Sequence, residues 1–389
     1  MKIVLSGVET NNKGAELMLY AILQEVERKF PETKVYIAPR TIRQGLNYVH
    51  TSLGLRYWPY SRLIEQTHVN GFLRRLHLPI LTDKRAVKAD YFLDGSGFRF
   101  SDQTNLWGST SVYWEKLLKY QNENGARIVF LPQAFGPIDM DITKHAVASL
   151  GRYATIVMPR DKVSYDYLKE SGLVNMQKVR LFTDFTSLVE GVFPKKYSHL
   201  KDGICIIPNI RMIEKKKIGY EEYINFLSAI IMEAKKSGHP VYLLNHEGLN
   251  DEKLAFLCQK SLEGKIEVVT RLNALEVKGL ISSAYLVITA RFHGLVSALN
   301  SCVPSIATSW SHKYKELFRD YFPDESVNED FIGKFMVSLD DINSSLEKMK
   351  MLLDNQGNIY IREKLATVVP TIKVQTKEMW KMVWEDDSI

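Results

Sequence analysis

The sequence predicts an α/β protein built from two consecutive doubly wound domains. Three observations carry that expectation. Short apolar runs alternate with amphipathic stretches from the first residues onward, the mark of repeated βαβ units and of a parallel sheet covered on both faces. The alternation breaks once, around residues 191–203, and then restarts. The chain has 389 residues, long for one compact domain and comfortable for two.

The elements follow in order. Residues 3–6 read as a buried strand, and residues 15–30 as a helix, with Leu17, Met18, Ala21, Ile22, Val26 and Phe30 along one stripe. Further strands are expected at 34–38, 91–93, 127–130, 155–158 and 179–182. Residues 40–88 are less regular. Within them the run 69–81 mixes Phe72, Leu73, Leu76 and Leu78 with Arg74 and Arg75. It suits either a segment lying on a membrane surface or a loop and helix packed on the domain with solvated arginines. Residues 191–203 carry Pro194 and three lysines with little periodicity, and read as a linker. Strands at 204–207, 241–244, 266–269, 286–289 and 304–307 follow, with helices at 221–234, 252–261 and 294–300. The tail, 360–384, is one long helical pattern. The expected domains are 1–192 and 203–359, with a terminal helix, 360–389, crossing back onto the first.

Composition narrows the class. Hydrophobic residues make up 45% and charged residues 25%, values of a soluble globular protein. The formal net charge is +6, which favours an anionic substrate or weak attraction to anionic lipid. No long basic tract or nucleic-acid-binding signature appears. Cys205, Cys258 and Cys302 are sparse and odd in number, so neither a disulfide framework nor a CxxC metal site is indicated, and a cytoplasmic protein with reduced thiols is expected. Neither a signal peptide nor a membrane span is read in the sequence.

In doubly wound domains ligands bind at the carboxyl ends of the strands. The first such turn, Gly7 to Glu16, is polar and opens a helix. Asn11 or Asn12 can cap that helix, and its backbone N–H groups attract anions; an ordinary capped turn would look the same. Gly95 and Gly97 follow the strand at 91, where two glycines let backbone approach a ligand, or simply shape a tight turn. Gln133-Ala134-Phe135-Gly136-Pro137 follows the strand at 127. Asp139-Met140-Asp141 has the form of a DxD metal motif but reads as a loop coincidence. Arg160 closes the strand at 155, where a guanidinium can hold a carboxylate or phosphate in a fork, or pair with an acid on the next element.

The richest stretch is Arg291-Phe292-His293-Gly294, followed by Lys313 one βα unit later. An arginine, a histidine and a lysine at successive strand ends suit a doubly anionic ligand together with a proton transfer. Gly294 permits close approach. His246, after the strand at 241, can line the same crevice.

On these residues the chain resembles the polysaccharide pyruvyl transferases, enzymes similar in fold to two-domain GT-B glycosyltransferases. The pieces are the turn Asn11–Glu16, the glycine turn at Gly95 and Gly97, Gln133 to Pro137, Arg160-Asp161 with Ser164, Thr183-Asp184-Phe185, and Arg291-Phe292-His293-Gly294 with Lys313. Glu16 stands one place after the acid of the family's first turn. The resemblance implies two Rossmann-like domains facing a cleft, with the acceptor on the first and the donor on the second. It implies transfer of a pyruvyl group from phosphoenolpyruvate to two hydroxyls of a sugar in a cell-surface polysaccharide or its lipid-linked precursor, forming a cyclic ketal and releasing phosphate, with no cofactor or metal. Arg160 and Lys313 would meet donor charge, and His293 would transfer a proton or contact phosphate. Asn11, Asn12, Gly14, Glu16, Gly95, Gly97, Gln133, His246, Arg291 and Gly294 would line substrate. A nucleotide-sugar glycosyltransferase and a non-catalytic glycan-binding protein are the alternatives.

Overall fold

The computed structural model of the protein describes residues 1–31, 33–37, 56–57, 88–104, 108–308 and 312–385. The run 69–81, with its membrane-surface and packed-loop readings, lies outside the described residues. The chain divides into two compact units: Met1–Asn11, Met18–Phe185 and Met379–Ile389 form one, and Asn12–Leu17 with Thr186–Glu378 form the other. The division falls a few residues ahead of the expected linker. That segment is itself structured, with a 3-10 turn at Lys195–Leu200 and a backbone bond from Val192 N–H to Leu275 O.

The first unit contains β1 (Lys2–Ser6), most of α1 (Lys13–Lys29), β2 (Lys34–Ile37), β3 (Arg56–Tyr57), β4 (Tyr91–Asp94), α2 (Gly108–Glu123), β5 (Arg127–Gln133), α3 (Asp141–Tyr153), β6 (Ile156–Pro159) and α4 (Lys162–Ser171). Its sheet runs β3-β2-β1-β4-β5-β6, with every pair parallel. Strand interiors such as Ile3, Val4, Leu5, Phe92, Leu93, Ile128, Val129 and Phe130 are fully buried, as a parallel sheet covered on both faces requires. Gly7, just past β1, has φ +78, and a Cβ there would stand 2.2 Å from Ser96 Oγ. Glycine is therefore required both by the dihedral and by the close approach of the β4 turn.

The second unit contains β7 (Ile204–Ile207), α5 (Arg211–Lys216), α6 (Tyr220–Lys235), β8 (Val241–Leu244), α7 (Gly248–Ser261), β9 (Glu267–Val269), α8 (Ala274–Ser282), β10 (Leu286–Thr289), α9 (Phe292–Asn300), β11 (Ser305–Thr308), α10 (Lys313–Tyr321), α11 (Glu329–Gly333), β12 (Met336–Val337), α12 (Ile342–Leu353) and most of α13 (Asn355–Trp384). Its sheet runs β12-β11-β10-β7-β8-β9. Counted from its own first strand, this is the same order as the first sheet. In both, strand order reverses beside the first strand, so the ligand crevice is expected at the carboxyl ends of β1/β4 and of β7/β10.

One expected strand did not form. Residues 179–182 make a single bridge, Val179 to Val157, and donate Arg180 N–H to Val157 O and Phe182 N–H to Pro159 O. Pro159 has no N–H to return the next bond, so the ladder stops. The end of the C-terminal helix, from Met379 on, belongs to the first unit. Arg127 donates to Met382 O (2.9 Å) and Val383 O (3.0 Å), and the Trp384 ring meets Phe30 and Tyr91 edge-on. Among the described residues no helix is long and apolar enough to cross a membrane.

Candidate active site

In the second unit, the carboxyl end of β10 turns at Ala290-Arg291 and opens α9 at Phe292. Thr289 Oγ1 accepts the Arg291 N–H (2.9 Å) and donates to Arg291 O (3.1 Å), fixing the turn. Ala290 O accepts Asn209 Nδ2 (2.7 Å) from the β7 turn and the Tyr314 hydroxyl (2.8 Å) from α10. A Cβ on Gly294 would press on Thr289 Oγ1 at 2.7 Å and Ile207 Cδ1 at 2.9 Å; glycine lets the start of α9 seat against the sheet. His293 and Arg291 therefore project from a turn held on three sides.

The Arg291 guanidinium is clamped by two acids. Nε donates to Asp251 Oδ2 at 2.8 Å, Nη2 bonds the same oxygen, and Nη1 bonds Glu247 Oε2. Asp251 is fully buried and also accepts the Ile210 N–H at 3.0 Å. Burial pushes its carboxyl up, to about 7, and the Ile210 amide pulls it down; burial pushes the guanidinium down to about 10. The two bonds to Asp251 favour the charged form of both groups against burial.

The first turn of α1 belongs to this unit. Of the two candidate caps, Asn12 takes the role, its Oδ1 accepting Gly14 N–H (2.8 Å) and Ala15 N–H (3.3 Å), whereas Asn11 is exposed. Asn12 bridges to Glu247, and Lys13 N–H donates to His246 O at 3.1 Å. Lys13 Nζ bonds Glu16 at 2.6 Å; burial nevertheless raises the Glu16 carboxyl, the lysine opposing it. Gly14 lies against the His293 ring, where a Cβ would sit 2.3 Å from Nδ1 and 2.6 Å from Cγ. Gly14→Ala would favour the helix by up to about 1 kcal/mol but must displace the imidazole. The expected result is a roughly hundredfold fall in turnover without loss of thermal midpoint, measured on the same preparation.

His246 is 3% exposed, and its Nδ1 has no hydrogen-bond partner among the described residues. Burial, then the charges of Arg291, His293 and Lys13, hold its imidazole well below the usual histidine range. It is neutral beside three cationic or titratable groups. Lys313 begins α10, with Nζ 5.7 Å from the Phe292 ring centroid and 5.6 Å from that of Tyr314. Gly14, His246, Arg291, His293 and Gly294 thus share one neighbourhood, with Lys313 reaching it from the next βα turn.

The first unit gathers the other candidates. Asp94, fully buried at the end of β4, accepts Ser96 N–H (3.2 Å) and Gln133 Nε2 (3.3 Å) and pairs with Arg99 at 3.2 Å. Gly95 lies under Val8, and Gly97 has φ +71. Gln133 Oε1 is buried with no partner among the described residues. Arg160 is 4% exposed; its N–H donates to Gln133 O and its Nη1 lies 3.9 Å from Asp184 Oδ2. Asp161 caps α4 by accepting Ser164 N–H, and Ser164 Oγ accepts Phe135 N–H. Arg160, Gln133, Gly95, Gly97 and Asn11 belong to this unit; Asn12, Gly14, Glu16, His246, Arg291, His293, Gly294 and Lys313 belong to the other.

Glu247 and Asp251 were not singled out in the sequence. Two acids in a strand-to-helix turn were visible there, but their arginine partner stands forty residues on. Asp139 and Asp141 fall in no metal-binding group; among the described residues no three potential ligands cluster.

A model of the family described as polysaccharide pyruvyl transferase matches residues 12–312 of the chain. No curated protein sequence is similar enough to match. Among solved structures, a Listeria monocytogenes protein assigned as a UDP-N-acetylglucosamine 2-epimerase aligns with TM-score 0.61 at 13% identity, covering 97% of this chain and 94% of its own. The Methanocaldococcus jannaschii UDP-GlcNAc 2-epimerase in complex with UDP-GlcNAc and UDP aligns with TM-score 0.58 at 11% identity, covering 99% and 100%. Anabaena HepE in complex with UDP-glucose aligns with TM-score 0.57 at 13% identity, covering 98% and 100%. At such identities the likeness concerns the fold, which is GT-B-like.

Proposed function

The chain belongs to the polysaccharide pyruvyl transferase family of enzymes, and from that premise we propose that it moves the pyruvyl group of phosphoenolpyruvate onto two hydroxyls of a sugar. The enol carbon of the donor takes a proton and becomes a methyl group. One sugar hydroxyl attacks C2 and loses its proton, and the C2–O bond to phosphate breaks. The second hydroxyl attacks the same carbon, loses its proton and closes the ketal.

The observation that carries the reading is His293 at the end of β10 with Lys313 one βα turn on. A donor bearing both a carboxylate and a phosphate needs fixed positive charge, and the reaction needs a group that can hold a proton near neutral pH. His293 supplies an imidazole for the proton transfer and stands against Gly14. Lys313 meets donor charge. Arg291 is bound by Asp251 and Glu247, so it shapes the turn that carries His293. His246, held neutral, can exchange a hydrogen bond without adding charge.

A second reading, glycosyl transfer from a nucleotide sugar, draws on structures of this fold in complex with UDP-GlcNAc or UDP-glucose. Thermal-shift titration separates the two, because a ligand that binds only the folded state raises the midpoint by mass action. Phosphoenolpyruvate is expected to stabilise the protein, and Lys313→Ala to abolish that shift. Stabilisation by a UDP-sugar and not by phosphoenolpyruvate would favour glycosyl transfer.

A further inference from the structure

Helix α7 has two apolar faces, and the core uses only one. Its inner face buries Leu254, Ala255 and Cys258, with Asp251 turned to Arg291. Its outer face carries Leu249, Phe256 and Leu257, which are 71%, 45% and 43% exposed. Lys253 and Lys260 are exposed as well. Positions 249, 253, 256, 257 and 260 recur at the spacing of one helical stripe, so three large apolar side chains and two ammonium groups share a single surface.

We infer that this stripe docks the protein on an anionic membrane surface. Leu249, Phe256 and Leu257 would enter the headgroup region while Lys253 and Lys260 meet lipid phosphates, the combination that binds peripheral helices. The charge argues for this occupant. No acid lies within the stripe: Glu252 sits at its half-buried edge, Glu247 is engaged by Arg291, and Glu263, beyond the helix end, pairs with Lys265. A second copy of the chain fits less well. A twofold pairing of identical stripes sets lysines against lysines, and one helix face is far smaller than the roughly 800 Å² that a stable partner covers. Docking here would hold the Arg291 clamp, on the inner face of the same helix, next to the lipid. The inference does not depend on which reaction the site performs.

Vesicle flotation of the full chain tests it. The protein is expected to float with phosphatidylcholine vesicles containing phosphatidylglycerol and not with phosphatidylcholine alone. Leu249→Ser/Phe256→Ser/Leu257→Ser should abolish flotation. Lys253→Glu/Lys260→Glu should weaken it by at least about fivefold per lysine. All five side chains are exposed, so both variants should keep the wild-type circular dichroism and thermal midpoint. Failure of the wild type to float with anionic vesicles, or undiminished flotation of either variant, would overturn the inference. So would a dimer in light scattering that the apolar variant converts to monomer, since a second copy would then cover the stripe.

Discussion

His293→Ala is expected to lower turnover by roughly 10²–10⁴-fold, the usual worth of a positioned proton-transfer group. The thermal midpoint should barely move. The ring is half-buried and stands at the first turn of α9, whose seat on the sheet comes from Leu295, Val296, Ala298 and Leu299, all buried. His293→Gln is the useful companion. It can still hydrogen-bond but cannot carry a proton at neutral pH. If the histidine acts by proton transfer, both variants lose turnover. If it only contacts phosphate, glutamine restores much of it. Steady-state kinetics over pH on the three proteins reads the difference.

The second large effect concerns stability. Arg291→Met removes the cation from two acids, one of them fully buried. Breaking a buried pair from one side costs about 3–5 kcal/mol, because the remaining charge is left uncompensated. The pH dependence has a definite sign. Burial already raises the Asp251 carboxyl to about 7 with the guanidinium in place, above the roughly 3.9 of an unfolded chain, and losing the cation raises it further. An acid raised on folding favours the folded state when protonated. Both proteins should therefore lose stability as pH rises from about 4 to 7, and the variant should go on losing it above that, so its deficit is smallest near pH 4 and largest on the alkaline side. Arg291→Met/Asp251→Leu should recover most of the deficit and flatten the pH profile. Denaturant unfolding at several pH values checks both statements; a single variant as stable as the wild type would remove the clamp from the explanation of the turn.

Much of the architecture was legible because buried parallel strands read as short apolar runs. Ile3-Val4-Leu5, Ile204-Cys205-Ile206-Ile207 and Leu286-Val287-Ile288 have no polar alternation to blur them. Helix α8 escaped the reading although its start was written in the chain: Asn273 and Glu276 form a capping box. Residues 179–182 look like a strand by composition, and the missing N–H of Pro159 on the neighbouring strand interrupts its ladder. The same division holds in the site. His293, Gly294 and Arg291 were visible as polar and small residues breaking an apolar strand-to-helix run. The packing of Gly14 on the His293 ring was not, since it joins residues far apart in the sequence. Nor was the orientation of Arg291 toward Asp251 and Glu247, because an arginine at a strand end reads equally well as a ligand contact or as half of an ion pair. Tertiary packing decides between those roles, and no local pattern records it.

The most direct measurement is phosphate release from phosphoenolpyruvate, with and without a sugar acceptor, paired with the mass of the acceptor afterward. Pyruvyl transfer predicts phosphate only when acceptor is present, in equal amounts with a pyruvylated product, and neither with His293→Ala. Phosphate release that is indifferent to acceptor, or acceptor modified only when a nucleotide sugar is supplied, would contradict it.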